Sequence, residues 1–313
     1  MTSQTLSLPK TPVPSGGERD PGRRRRFRWI GRGAPLLPAI IVLVIFLLGP
    51  VLSAFIGAFT NSALSGEGAK DSHFVGFDNF RELFANPDFP KSVWLTLLFV
   101  FASAIVGQNV LGLGLAILMR SASGWARALT SLVVVGAWIL PEIVASFAAY
   151  AFFAANGTLN SLLHFIGLSG TTWLYSYPML SVIIANVWRG TAFSMLVYSA
   201  ALNDVPEEIV ESARVDGASA NQRLVYITLP LIRRSISTNL MLTTLQTLSV
   251  FTLIYVMTGG GPGTNSSTLP ILAFQQAFSF GELGMGTAIA LILLIVGAVF
   301  SLIYIRALRP EVD

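Results

Sequence analysis

Two ionisable residues, Glu142 and Arg189, sit in long apolar stretches of this 313-residue chain. A charge in hydrocarbon is costly, so such residues face a cavity, a partner or each other. The pair can be read as a structural ion pair between antiparallel helices, as lining residues, or as contacts for a passing solute. Four amides, Gln108, Asn109, Asn186 and Gln246, fall at comparable depth in other apolar runs. An amide both donates and accepts, which suits a hydroxylated solute and equally suits bonds between helices. Trp138, Tyr150, Trp188 and Tyr255 could stack on a ring or serve as packing and interfacial residues. Nothing here is equipped to make or break bonds. The chain has no cysteine and two histidines, His73 and His164. The apolar stretches hold no HExxH, no paired aspartates and no evident Ser–His arrangement. No catalytic and no metal-ligating set is therefore assigned.

These residues need elements to hold them, and composition says which. The chain is 53% hydrophobic and 12% charged, about half the charge of a soluble domain. Its mean hydropathy is +0.67. A bilayer core takes a helix of about 20 apolar residues. Six stretches qualify, approximately 35–58, 92–118, 128–153, 178–200, 235–257 and 285–307. The expected fold is an all-α integral membrane protein with a transmembrane domain over 34–309. Pro38 and Pro50 fall near the ends of the first span, where a missing donor is tolerated. Pro141 should bend the third and free a carbonyl.

Orientation follows the basic residues. The tail carries Lys10, Arg19, Arg23–Arg26, Arg28 and Arg32, and the same side takes Arg120, Arg127, Arg214, Arg223, Arg233, Arg234, Arg306 and Arg309. The other side holds Lys70, Arg81 and Lys91. The positive-inside bias then puts both termini in the cytoplasm. Residues 1–33, rich in Pro, Gly, Ser and Arg, are expected to be a disordered basic cytoplasmic tail. The sequence pI near 9.6 reflects this collar and not a nucleic-acid-binding domain, since no compact basic domain exists.

The outer segment 59–91 contains Phe74–Phe84, where Asp78 or Asn79 could cap a short amphipathic helix. The outer loop 258–284 opens on Gly259-Gly260-Gly261-Pro262-Gly263, which is turn chemistry. No Gly-Lys-Ser/Thr follows, as a phosphate loop would need. The most distinctive polar stretch is 205–230, on the cytoplasmic side between the fourth and fifth spans. Asp204 is a plausible cap, Pro206 fits a first helical turn, and Ile209, Val210 and Ala213 form one apolar stripe. Gly217 ends that helix, and a second polar helix starts near Asn221. The two form an elbow that projects into the cytoplasm.

The spacing in this elbow resembles a known signature. Glu211-Ser212-Ala213, Gly217, Ile227 and Leu229-Pro230 match the "EAA" motif of ATP-binding-cassette importer permeases, with serine where the middle alanine is usual. The six spans and long first outer loop resemble the carbohydrate-uptake permeases. The Thr258–Pro262 turn followed by Ser267-Thr268 resembles the MalF-like member of the permease pair. The resemblance implies a type I importer fold and a prokaryotic plasma-membrane location. It makes the elbow a coupling helix docked on a cytoplasmic ATPase, with Glu211, Ser212, Ala213, Asp216, Gly217 and Ala218 at the contact. Arg189, Gln246, Glu142, Asn186, Gln108 and Asn109 become candidates for the translocation path of a sugar. It also implies a second homologous permease, two ATPase subunits that bind ATP and Mg, and an extracytoplasmic solute-binding protein. This chain itself would bind no cofactor. An ion-coupled secondary transporter is the alternative, although Glu142 is the one acid clearly at mid-membrane.

Overall fold

The computed structural model describes residues 36–308. The tail expected over 1–33 and Arg309 lie outside them. The chain divides into two units between Leu52 and Ser53. The described part of the first belongs to helix α1 (Leu37–Gly57), whose most apolar window buries no side chain. An all-apolar, all-exposed helix is stable only with lipid or another protein as its solvent. Pro38 sits in its first turn, where no donor is required.

Among the described residues of the second unit, regular structure is helical apart from one isolated bridge between Thr60 and Phe74. Helix α2 (Asp78–Ala85) lies on the long outer segment. Neither Asp78 nor Asn79 caps it, because Phe77 holds the cap position. Asn79 instead donates to the carbonyls of Ala58 and Thr60, at 2.9 and 2.8 Å, and so ties this helix to the end of α1. Next come α3 (Asp88–Ser121), α4 (Gly124–Ile139), α5 (Glu142–Phe153), α6 (Thr158–Phe165) and α7 (Pro178–Asn203). The elbow holds α8 (Glu207–Val215) and α9 (Ala220–Arg223). The chain ends with α10 (Arg233–Leu248), α11 (Thr252–Thr258), α12 (Leu269–Phe274) and α13 (Leu283–Leu308).

Four of the expected spans are single helices, and two are broken. The third does not merely bend at Pro141. Its halves Gly124–Ile139 and Glu142–Phe165 diverge by 111°. Proline disfavours the helical region for the residue before it. Leu140 accordingly adopts φ −57°, ψ 134°, and Pro141 follows at φ −52°, ψ 140°. Two consecutive extended residues stop one helix and aim the next elsewhere. The fifth span breaks by 48° between Leu248 and Thr252, with no proline or glycine in the gap.

Packing is densest where α3 meets α7. Gly112 lets the two backbones approach, since a Cβ there would run into Ser194. Apolar contact gives little drive for association in lipid, so close packing and buried hydrogen bonds do the joining. Asn109 is the hub. Its Oδ1 accepts from the Tyr198 hydroxyl and, at 2.7 Å, from Asn239 Nδ2. Its Nδ2 donates to the Ala104 carbonyl at 2.6 Å and to Thr243 Oγ1 at 3.3 Å. Asn239 also donates to Ser194 Oγ at 2.9 Å. Thr244 and Tyr304 hydroxyls meet at 3.0 Å and bring in α13. A buried polar seam thus fastens α3, α7 and α10, and a separate, part-buried hydroxyl contact adds α13.

Candidate functional site: a polar cleft and an exposed elbow

Both helix breaks open on one cleft of about 270 Å³. Gln108 enters from α3, at the end of a π-helical stretch over Val100–Gln108. Trp138 and Glu142 flank the Pro141 break, and Asn186, Arg189, Gly190 and Phe193 come from α7. Gln246 and Thr247 come from the last turn of α10, and Ser249 and Val250 from the break after it. Non-helical backbone at membrane depth is tolerated where it lines a cavity that can satisfy its polar groups. The two breaks are therefore what makes the cleft, and the cleft is what makes them affordable.

The charged residues meet here without joining. Glu142 lies in the first turn of α5, whose partial positive end favours a carboxylate. Its Oε1 is buried without a hydrogen-bond partner, and so is Nε of Arg189. The salt bridge found among the described residues is Arg81–Asp78, far away on the outer segment. The ion pair considered from sequence is thus a shared cavity and not a bridge. A buried polar atom left unpaired costs about 1–3 kcal/mol, more if charged. Glu142 and Arg189 thus bring two unpartnered polar atoms of opposite character to the walls of one cleft.

The amides divide between two roles. Gln108 donates from Nε2 to the Asn186 carbonyl at 3.1 Å and lines the cleft. Gly190 makes that possible, since any Cβ there would overlap the Gln108 amide. Asn186 lines the cleft and donates from Nδ2 to Ser103 Oγ at 2.9 Å and Thr247 Oγ1 at 3.4 Å. Gln246 is exposed within it. Asn109 is buried like Gln108 and Asn186, but it lies one residue around the helix and its amide is committed to the seam. Asn109, expected on the path from sequence, does not line this cleft, since a helix turns about 100° per residue and carries it to another face.

Of the four aromatic residues, Trp138 lines the cleft and packs on Phe193 at 6.0 Å. Trp188 lines a neighbouring apolar cavity of about 420 Å³ with Phe152 and Phe153. Tyr255 stacks on Phe251 at 5.2 Å, and Tyr150 is exposed. The apolar cavity is larger, but its lining is almost wholly apolar. Gly190, Thr247 and Ser249 were not singled out in the sequence. A glycine facing a glutamine across two helices has no signature in one dimension.

The elbow is built as a rigid corner. Pro206, not Asp204, holds the cap position of α8, and Asp204 closes α7. Asp204 is drawn to the end of the preceding helix because α7 runs uninterrupted to Asn203. After Val215 the chain turns through Gly217 at φ +83°. The Gly217 N–H donates to the Arg214 carbonyl at 3.1 Å, and the Ala218 N–H to the Ala213 carbonyl at 3.0 Å. This is a Schellman closure, which satisfies the last carbonyls of α8. Ser219 then starts α9 with a capping box. Its Oγ accepts from the Gln222 N–H at 3.3 Å, and its own N–H donates to Gln222 Oε1 at 2.7 Å. Arg223 donates to the Ala218 carbonyl and braces the corner. The helix begins at Ala220, one residue before the expected Asn221.

Val210 anchors the corner to a cluster with Tyr198, Leu202, Val205 and Ile232. Glu211, Ser212, Asp216 and Gly217 are exposed, with Ala213 and Ala218 half-buried. Val215 is 87% exposed and Tyr226 76%. An apolar residue that prominent on a charged elbow is available to a partner.

Residues 108–312 match the family described as the binding-protein-dependent transport system inner membrane component. The chain belongs to that family. The matched stretch contains the whole elbow and every residue of the cleft. Over 295 residues the permease is 32% identical to the sulfoquinovosyl glycerol transport system permease protein of Agrobacterium fabrum, covering 91% of this chain and 94% of the relative. It is 29% identical to the trehalose/maltose transport system permease protein of Thermococcus litoralis, covering 89% and 93%. Its fold superposes with a TM-score of 0.76, at 25% identity, on a chain of the bacterial alginate ABC transporter crystallised with an alginate pentasaccharide-bound periplasmic protein. That comparison covers 90% of this chain and 96% of the other. The permease is a multi-pass inner-membrane protein with the type I importer fold. Family membership sets aside the ion-coupled secondary transporter.

Proposed function

We propose that this permease forms half of the path of an ATP-driven sugar importer, with the polar cleft as its cargo contact and the 205–230 elbow as its coupling lever. The observation that carries the cargo assignment is the unpaired Glu142 and Arg189 in one amide-lined cleft. A sugar hydroxyl donates to the carboxylate and accepts from the guanidinium, so one polyol answers both. The relatives whose names specify a glycoside or disaccharide support the sugar class. Glu142, Arg189, Gln246, Gln108 and Asn186 are the contacts assigned here.

The elbow reading rests on its shape. A closed corner fastened to α7 at one end and running into α10 at the other moves both helices together. Both helices line the cleft. Closure of a cytoplasmic ATPase dimer on the elbow would then rock the cleft between its two faces. ATP and Mg belong to those two ATPase subunits, and this chain carries no Walker-type loop. A second permease completes the path, and a solute-binding protein delivers the cargo from outside. With these partners reconstituted, ATP-dependent uptake of labelled sugars tests the proposal. Arg189→Gln should lower uptake about tenfold or more, the value of one hydrogen bond to a charged group. Unchanged uptake would remove Arg189 from the path.

A further inference from the structure

A second polar cleft, of about 260 Å³, lies at the other end of the same helices. It is lined by Ala116, Met119 and Arg120 of α3, Arg127 of α4, and Ser199 and Asn203 of α7. Two arginines therefore line one space. Arg127 donates from Nε to the Met119 carbonyl at 3.1 Å, which fixes its plane and leaves its terminal nitrogens free. Neither arginine forms a salt bridge. No Asp or Glu occurs between Asp88 and Glu142, or between Glu142 and Asp204, so the helices that line the cleft bring no counter-ion into it. Asp204 follows Asn203 but does not line it.

Two like charges converging without an acid create a local field that an anion relieves. Guanidinium forks match the oxygens of phosphate. Ser199 and Asn203 add neutral donors on the third wall. The cleft lies where the basic residues put the cytoplasmic membrane surface, and basic pockets between spans on that side suit anionic headgroups. Trp125, two residues before Arg127 in α4 and exposed, suits the same interface. We propose that this cleft holds the phosphate headgroup of an anionic phospholipid of the inner leaflet. The site is distinct from the cargo cleft, shares none of its lining, and flanks the junction of α7 with the elbow.

The test uses the full chain purified in mild detergent and exposed to mixed phosphatidylglycerol and phosphatidylcholine. Lipid retained on the protein is counted by native mass spectrometry. The wild-type chain should retain phosphatidylglycerol in preference. Arg120→Gln with Arg127→Gln should cut that preference about tenfold or more. Arg233→Gln with Arg234→Gln, which removes two basic residues outside the cleft, should leave it unchanged. Ser199→Ala with Asn203→Ala leaves both charges in place and should still weaken it, which covers misfolding of the arginine variant. Equal preference in wild type and the Arg120/Arg127 variant overturns the proposal. So does displacement of the lipid by millimolar inorganic phosphate, which would mark a free-anion site. Loss of the preference on assembly with a second permease would make the cleft a protein interface and also overturn it.

Discussion

Asn109→Leu tests whether the buried seam, and not apolar contact, holds the spans together. Asn109 makes three bonds to other helices, with Tyr198, Asn239 and Thr243. Side-chain hydrogen bonds between membrane helices average about 0.6 kcal/mol. Losing all three should cost about 2 kcal/mol, or roughly thirtyfold in the ratio of folded to unfolded protein. The Tyr198 hydroxyl and an Asn239 N–H lose an acceptor at once, so the cost should not fall below that sum. The assay is reversible unfolding in mixed micelles, run as a double-mutant cycle with Asn239→Leu. The coupling energy should be about 0.6 kcal/mol, for the one bond the two share, and at most about 1.7. Affinity for cargo should be unchanged, because Asn109 does not line the cleft. A cost under about 0.5 kcal/mol with no coupling would refute the seam. Weakened cargo binding with unchanged stability would put Asn109 back on the path.

Other outcomes follow from the same geometry. Glu142→Gln and Arg189→Gln should each impair uptake, yet their effects on unfolding should add to within about 0.5 kcal/mol, since no bridge joins them; a larger coupling would reveal a pair. Gly190→Ala should displace the Gln108 side chain and lower uptake without blocking insertion, as measured by transport and by protease topology mapping. Ser219→Ala should remove the capping box and cost the elbow about 1 kcal/mol, seen as faster amide exchange over 219–223 with the core unaffected. Gly112→Leu should wedge α3 from α7 and destabilise by about 1–3 kcal/mol, read as a lower unfolding midpoint.

Much of this architecture is legible in one dimension because lipid imposes simple rules. Each of the six apolar runs became a helix or a bent helix pair long and apolar enough to cross a membrane, and the basic residues alone assign the sides. Gly217 was legible because a positive φ calls for glycine. The break at Pro141 was visible as a residue but not as an angle. Its size depends on Leu140 being pushed out of the helical region as well. The break after Leu248 left no mark, since neither proline nor glycine signals it. The two amides at 108 and 109 looked alike in sequence. Only the rotation of α3 separates a lining residue from a structural hub. Interhelical partners such as Gly190 with Gln108 are set by how helices cross, which no local pattern encodes.

In the proposed function the elbow transmits ATPase closure to the cleft, and Gly217→Val breaks that transmission at its corner. A β-branched side chain at φ +83° costs about 1–2 kcal/mol of backbone strain, while open space around the position spares the core. The reconstituted importer should still insert, assemble its permease pair and bind cargo. Sugar transported per ATP hydrolysed should fall about tenfold, with hydrolysis continuing or with the ATPase released. An unchanged ratio of sugar to ATP, with the ATPase still bound, would rule out the elbow as the lever.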